Sequence, residues 1–592
     1  MGPTLEFSEA IHAEKYRGKN ETFKEAMNRI AGTLEDNEEH FRGFRDALLE
    51  MRFMPGGRIQ AAVGSKKNVT AFNCFVSGRI EDSFVEGHGS IMQIATEAAT
   101  TMRMGGGIGY DFSTLRPRGD LIRKLQSSSS GPVSFMEIYD AICRCISSSG
   151  HRRGAQMGVM RVDHPDIEEF VRCKQPSAAA EPILRKLAEA TPGTLEWREW
   201  HKALQAVYRL TGFNISVAVT DAFMKAVRDN RSFTLRFGGR DYQEIDARVL
   251  WDTIMRSAWD WAEPGIIFID TVNRMNNQQW CEKIIATNPC GEQPLPAYGA
   301  CLLGSFNLVK YLLPSGPPWF NRSLFIQDIR HVVRAMDNVI DNTSYPLYEQ
   351  EKMAKATRRM GLGVTGLANA IEFMGYPYGS AEFVDVQAEI LSTLAENCYR
   401  ASVELAIEKG SFPLYKRDRY CNSEFIRSLS RATQDLIRQH GIRNSHLLSI
   451  APTGTISLCA DNVSSSIEPV FALQQKRLVN MPDGPTEFDV DDYGYRVLGV
   501  EGRTADQVTI DEHLAVLACA SKFVDSAVSK TCNVPSDTPW PRFKELYMRA
   551  WELGCKGVTT YQVGGKRSGI IASAKRESSC RLDTTTGRRE CD

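Results

Sequence analysis

From about Phe53 onward, short apolar runs of strand length alternate with long segments of helical periodicity, and this alternation limits the fold more than any other feature. Ile215-Ser-Val-Ala-Val219 reads as a strand leading into a helix that opens at Asp221. Gly265-Ile-Ile-Phe-Ile-Asp270 is a second such run. Long helices are expected from about Ser380 to Lys409, closed by Gly410, and from near Asp511. Strands and helices in alternation favour an α/β core of mainly parallel strands, because each crossover helix returns the chain to the same end of the sheet. Residues 1–50 differ. Phe23, Met27, Ile30 and Leu34, then Phe41, Phe44 and Leu48, recur at helical spacing and predict a small helical N-terminal segment. The core then occupies 51–565, with a Pro/Ala/Glu/Trp-rich stretch at about 174–211 that reads as an inserted helical excursion. Residues 566–592 carry no aromatic side chain and are expected to form a flexible tail, too poor in apolar area to offset the entropy of ordering. That tail nevertheless holds two thiols, Cys580 and Cys591.

Charge removes several function classes. The chain of 592 residues carries 71 Lys+Arg against 72 Asp+Glu, so no net field draws it to nucleic-acid polymers or acidic membranes. No apolar run approaches the ~20 residues of a membrane span, and no basic segment leads into an apolar one at the N-terminus. The fifteen cysteines are spread from Cys74 to Cys591, without the dense spacing of a disulfide framework and without a Cys-x-x-Cys. A reducing, cytoplasmic setting suits this pattern, with most thiols acting as small buried apolar groups.

A few cysteines sit in unusual company. Asn288-Pro-Cys-Gly-Glu292 must be a tight loop, because Pro289 and Gly291 exclude a helix or strand interior. It presents an amide, a thiol and a carboxylate within five residues. Negative charge beside a thiol disfavours a thiolate nucleophile; it suits a thiol that gives up a hydrogen atom, with the carboxylate as base toward a separate hydroxyl. Cys301 follows eleven residues on, and Cys74 lies in Phe72-Asn-Cys-Phe75. Arg103-Met-Gly-Gly-Gly-Ile-Gly109 is glycine-dense enough for close approach to its backbone. Ala451-Pro-Thr-Gly-Thr-Ile-Ser457, after the apolar run Leu447–Ile450, offers amides and hydroxyls for a phosphate.

Taken in order, Asn73-Cys74-Phe75, Gly105–Gly109, Arg152-Arg-Gly-Ala-Gln-Met157, Asn288–Glu292, Pro452–Ile456, Ser465-Ser-Ile-Glu-Pro469 and Thr531-Cys-Asn-Val-Pro535 resemble ribonucleotide reductases. The closest match is to the adenosylcobalamin-dependent class II enzymes, over roughly residues 50–565. The resemblance implies a ten-stranded α/β barrel of two five-stranded parallel halves, with a finger loop through its middle and Cys290 at the tip. It implies that a deoxyadenosyl radical from the cofactor oxidises Cys290, whose thiyl takes the 3′ hydrogen of a ribonucleotide. Glu292 then accepts the 3′-hydroxyl proton, Asn288 holds the sugar hydroxyls, and Cys74 and Cys301 supply the reducing equivalents and end as a disulfide.

Further assignments follow from the same resemblance. Asn73, Gly107 and the loop Pro452, Thr453, Gly454, Thr455 and Ile456 are expected to bind substrate, a diphosphate by analogy with dimeric members. Loops at about 113–132 and 150–163 are expected to read a deoxynucleoside triphosphate effector, with Asp82, Ser83 and Arg116 as its contacts. An amphipathic helix opening at Gly131 implies a homodimer. Cys580 and Cys591 would pass electrons inward from thioredoxin or glutaredoxin, across a spacing wider than is usual in the family. Two rivals remain. A class I-type large subunit, which takes its radical from a partner, is disfavoured because Gly557-Val-Thr-Thr-Tyr561 has a single tyrosine and no Tyr-Tyr occurs. An inactive nucleotide-binding paralogue is disfavoured by the joint presence of Cys74, Cys290, Cys301, Asn288 and Glu292.

Overall fold

The computed structural model describes residues 2–148, 152–153, 155–175, 180–190, 194–207, 209–314, 316–317, 319–481, 484–562, 580–582 and 589–591. Three N-terminal helices, α1 (Glu6–Tyr16), α2 (Phe23–Leu34) and α3 (Glu38–Leu49), bear out the periodicity of the first fifty residues. A capping box between Thr22 and Glu25 starts α2, and Phe23, Met27, Ile30 and Leu34 are all buried. These side chains belong to the main apolar core, which also takes in side chains of the later helices and strands. The Asp461 carboxylate also takes the amides of Thr4 and Leu5, at 2.6 and 3.0 Å.

The strands that organise the core are β1 (Phe53–Pro55), β2 (Cys74–Val76), β3 (Gly107–Asp111), β4 (Gln156–Arg161), β5 (Phe213–Val219), β6 (Gly265–Phe268), β7 (Ala286–Thr287), β8 (Pro294–Leu295), β9 (Ala300–Asn307), β10 (Met360–Thr365), β11 (Thr531–Val534) and β12 (Gly557–Gln562). One ten-stranded sheet runs in the order β1-β9-β2-β3-β4-β5-β6-β12-β11, with β10 on the second side of β9. Strands β2 to β6 are parallel neighbours throughout. β9 with β10, and β11 with β12, form two further parallel pairs, each joined antiparallel to the first set, β9 to β2 and β12 to β6. The tenth member is the short β1, antiparallel to β9, so the composition of this sheet differs from two halves of five. Single parallel bridges link Leu362 to Leu448 and Ile450 to Val528, on the facing sides of β10 and the segment before β11.

Strand alternation separates two faces. Phe75, Ile108, Tyr110, Met160, Val217, Phe268, Leu302, Phe306, Leu362 and Val364 pack into the main core with the helices. Cys74, Val76, Met157, Val159, Ala218, Ile267, Cys301, Leu303 and Ala451 form a second cluster on the opposite face, together with Ala286 and Leu295 of the β7–β8 hairpin. The hairpin therefore lies on the inner face of the sheet, and glycines make room for it. A β-carbon on Gly109 would sit 1.8 Å from the Thr287 carbonyl oxygen, and one on Gly107 3.1 Å from Pro289 Cγ. The glycine-rich run thus accommodates the β7–β8 hairpin.

The helices expected near Ser380 and Asp511 run over Ala381–Lys409 and Ile510–Lys522, with Ser380 and Thr509 as N-caps. Gly265–Phe268 ends as a strand two residues early, since Ile269 and Asp270 open a helix. The 174–211 stretch holds two helices, Ala180–Glu189 and Leu195–Val207, with a small cluster of Ala180, Leu187, Ala190 and Trp197. Among the described residues no helix is long and apolar enough to cross a membrane.

Candidate active site

The hairpin turn is fastened from both sides. Asn288 N–H donates to Gln293 O at 3.2 Å, and Gln293 N–H donates to Asn288 Oδ1 at 2.9 Å. Gly291 takes φ +82°, a region that favours glycine, so the turn can close. From the first strand set, Asn214 Nδ2 donates to Pro289 O at 2.9 Å. From the other side, Ala527 N–H and Ser449 Oγ donate to Glu292 O at 3.0 and 2.9 Å.

This bracing brings four of the five expected catalytic residues into direct contact. Cys74 and Cys301 are register partners on antiparallel β2 and β9. Directly opposed residues of such a pair lie about 4.5–5.5 Å apart at Cα, within the range a disulfide spans. Asn288 Nδ2 lies 3.2 Å from Cys74 Sγ, and Cys74 Sγ lies 3.8 Å from Glu292 Oε1. The thiol neighbour of the carboxylate is thus Cys74 as well as the Cys290 beside it in sequence. Cys74 and Cys301 are 3% and 0% exposed, whereas Cys290, on the turn, is exposed.

Burial sets the acid–base character of the cluster. It raises the Glu292 carboxyl to about 7, against smaller opposing bonds from Asn288, its own backbone and Cys74. It also pushes the Cys74 thiol far up, with Glu292, Cys301 and Cys290 adding to the effect. Cys301 is raised chiefly by burial too, but its strongest charged neighbour, Arg359, acts in the opposite direction. The arrangement keeps two thiols protonated beside a carboxyl that titrates near neutrality, and leaves a third thiol facing outward.

The predicted phosphate loop begins on the same inner face, at Ala451. Thr453 takes φ +54° and starts a six-residue helix, Gly454–Cys459. Its Oγ1 accepts from Ser466 N–H at 2.6 Å and lies 3.0 Å from Thr365 Oγ1. The Ile456 side chain packs into the main core and its carbonyl accepts from Ala460 N–H, which leaves its backbone N–H to serve a ligand. Asn73 accepts from Gly107 N–H through its carbonyl at 2.9 Å, and its buried Oδ1 has no protein partner. Sequence reasoning missed Asn307 and Gln293, both fully buried with neither amide atom bonded. Parity was the available signal for Asn307, which shares the strand face of Cys301 and Leu303.

The family model for the ribonucleotide reductase barrel domain matches residues 72–486 and 503–561. The chain belongs to the ribonucleotide reductase family. A vitamin B12-dependent ribonucleoside-diphosphate reductase of Mycobacterium tuberculosis is 33% identical over 95% of this chain and 79% of its own length. A protein of the same name from Thermoplasma acidophilum is 31% identical over 94% of this chain and 69% of its own. The ribonucleoside-diphosphate reductase subunit alpha of Chlamydia muridarum is more distant, at 25% over 83% of this chain and 51% of its own length.

Other positions expected from the reductase resemblance fall elsewhere. Asp82 and Arg116 meet: Arg116 Nε donates to Asp82 Oδ2 at 2.7 Å, and Arg116 N–H to Asp82 Oδ1 at 3.2 Å. Ser83 Oγ, one residue on, accepts from Glu86 N–H. Of the loop at 150–163, residues 150, 151 and 154 lie outside the described residues. Of the expected flexible tail, 566–579, 583–588 and 592 lie outside them as well. Its two described pieces, Cys580–Leu582 and Arg589–Cys591, pair antiparallel with Cys580 opposite Cys591.

Proposed function

We propose that the chain is an adenosylcobalamin-dependent ribonucleotide reductase, acting on ribonucleoside diphosphates and forming 2′-deoxyribonucleotides by thiyl-radical chemistry. One observation carries this reading: an exposed thiol on a braced turn, backed by two opposed buried thiols and a carboxyl that titrates near 7. Cys290 exchanges a hydrogen atom with the sugar 3′ carbon. Glu292 holds the 3′-hydroxyl proton, and a carboxyl near 7 both takes and returns it readily at neutral pH. Cys74, protonated and held by Asn288, gives its proton to the departing 2′-hydroxyl. Cys74 and Cys301 then close as a disulfide across β2 and β9. Asn73 and the 452–456 loop orient the nucleotide, and Asn307 offers an unused amide on the same face.

The residues present fit the cofactor, because the turn exposes Cys290 while the other two thiols stay buried. Cys290, with Pro289, Gly107 and Asn214 around the turn, would face the group. When bound, adenosylcobalamin supplies a carbon-centred radical strong enough to take a hydrogen atom from a thiol.

We extend the proposal to architecture and partners. Hydrogen bonds along 446–450, from Met360 N–H to His446 O at 3.0 Å and from Ile450 N–H to Ala527 O at 3.1 Å, support closure of the sheet into a ten-stranded barrel. Exposed Phe84, Val85, Leu121 and Leu125, the first against Phe135 of the helix Pro132–Cys145, support a homodimer, with Asp82, Ser83 and Arg116 serving a deoxynucleoside triphosphate effector. The register of Cys580 opposite Cys591 supports a dithiol tail recharged by thioredoxin or glutaredoxin, despite the ten residues between them. Anaerobic incubation of the purified chain with adenosylcobalamin, a dithiol and each ribonucleoside diphosphate is expected to yield deoxynucleotide without a second subunit. Product only on addition of a radical-generating partner would instead favour the class I-type reading.

A further inference from the structure

Cys74 and Cys301 are opposed on β2 and β9, and Arg359 continues the row just before β10. Cys301 is the register partner of Cys74, and the β9–β10 ladder begins at Leu302 opposite Met360, so Cys301 and Arg359 precede it side by side. Adjacent strands lie about 4.8 Å apart. Met360 points to the main core, so its neighbour Arg359 shares the inner face with Cys301. Glu292 touches Cys74 at the other end of the row. The disulfide that closes between β2 and β9 would therefore have a carboxyl at one end and a guanidinium at the other.

Arg359 is held firmly for a long side chain. It is 2% exposed, its Nη2 pairs with Glu282, and its Nε donates to His446 Nδ1 at 3.1 Å. Burial and the cations Arg359 and Lys556 keep His446 neutral, so its Nε2 carries the proton and donates to Asn276 Oδ1 at 3.0 Å. Among charged groups, Arg359 acts on Cys301 more strongly than Asp525 or Glu292, which oppose it. The scaffold thus spends a buried ion pair and a histidine on fixing a cation behind a sulfur that the hydrogen-atom chemistry does not use directly.

We propose that Arg359 is a positioning residue that makes Cys301 the leaving sulfur when the Cys74–Cys301 disulfide is reduced. The inference rests on the reductase reading for the origin of that disulfide. An incoming thiolate attacks Cys74 Sγ, forming a mixed disulfide there. The S–S bond breaks and its electron pair stays on Cys301 Sγ as a thiolate facing Arg359. The second thiol of the donor then displaces Cys74, the donor ends as a disulfide, and both site cysteines regain a proton. The direction follows from exposure: Cys74 keeps 3% of its surface and sits under the turn that carries the exposed Cys290, whereas Cys301 is wholly enclosed.

The test uses the full chain with its site disulfide formed by a mild chemical oxidant, so it does not depend on turnover. Reduction by dithiothreitol is followed for the wild type, Arg359→Gln and Arg359→Lys. Loss of the cation in Arg359→Gln is expected to slow site reduction about tenfold, with Arg359→Lys close to the wild type. Equal rates in all three overturn the proposal. A second measurement needs no substitution: brief exposure of the oxidised wild type to 2-mercaptoethanol, then iodoacetamide and peptide mapping. Mercaptoethanol on Cys74 with alkylated Cys301 supports the assignment, and the reverse labelling overturns it. The anaerobic turnover assay reports separately on the reductase reading, because a chain without turnover still undergoes this exchange.

Discussion

The two strand sets that contact the β7–β8 hairpin are stabilised differently. β2 to β6 meet through unbroken parallel ladders and present Val76, Met157, Val159, Ala218 and Ile267 inward. The opposite set starts its strands on buried charge. The Asp525 carboxylate takes the amides of Leu447 and Leu448 and the Tyr399 hydroxyl, and Lys556 Nζ donates to the carbonyls of Val524, Asp525 and Ser526. Burial raises Asp525 and lowers Lys556 to about 8. One side is held by shape; the other also depends on fixed protonation states. The difference confines the buried Asp525 and Lys556 to one side, leaves the other to grip the turn through Asn214, and sets the Cys74–Cys301 pair where the two sets join.

The comparison can be broken most completely at the turn itself. Cys290→Ser is expected to abolish product while nucleotide binding, read by equilibrium dialysis, is retained, since a serine O–H bond is too strong to yield its hydrogen atom. Next in size, Asp525→Ala should cost about 3–5 kcal/mol in urea unfolding, because the buried amides of Leu447 and Leu448 and the Tyr399 hydroxyl lose their acceptor. Glu292→Gln should lower turnover roughly 10²–10⁴-fold and remove the pH limb near 7. The same change should stabilise the fold. The raised carboxyl contributes stability below its unfolded value near 4.5 and loses it as pH rises through about 7. Glu292→Gln is therefore expected to gain up to about 3 kcal/mol above pH 7 and nothing below pH 4.5. On the apolar wall, Tyr110→Phe removes only the 2.7 Å bond to Gln156 Oε1 and should cost about 1 kcal/mol. Smallest in structural effect, Cys591→Ala should spare turnover driven by a small dithiol and cripple turnover driven by thioredoxin. Equal loss with both donors would remove the tail from electron transfer.

Much of this was legible in the chain because it is local. The helix from Ser380 to Gly410 announces itself through its cap and its closing glycine, and the 288–292 turn through Pro289 and Gly291. Motif order placed Cys74, Cys290, Cys301, Asn288 and Glu292 together without any knowledge of pairing. Register was not legible. That Cys301 faces Cys74 on one side and neighbours Arg359 on the other depends on strands 58 to 227 residues apart in sequence, with nothing in either segment naming its partner. The glycines at 105–109 were read as space for a ligand, whereas the hairpin fills much of it. The ionic braces were invisible for the same reason: Lys556 and Asp525 look like ordinary surface residues until the fold encloses them.

The carbonyl of Thr287 occupies the place where Gly109 would carry its first side-chain carbon. A single added methyl there must displace the loop by more than an ångström, and shifts of that size cost about a hundredfold in well-aligned reactions. A residue on a neighbouring strand, with no reactive group of its own, thereby decides whether three chemically intact sulfurs remain aligned to work in concert.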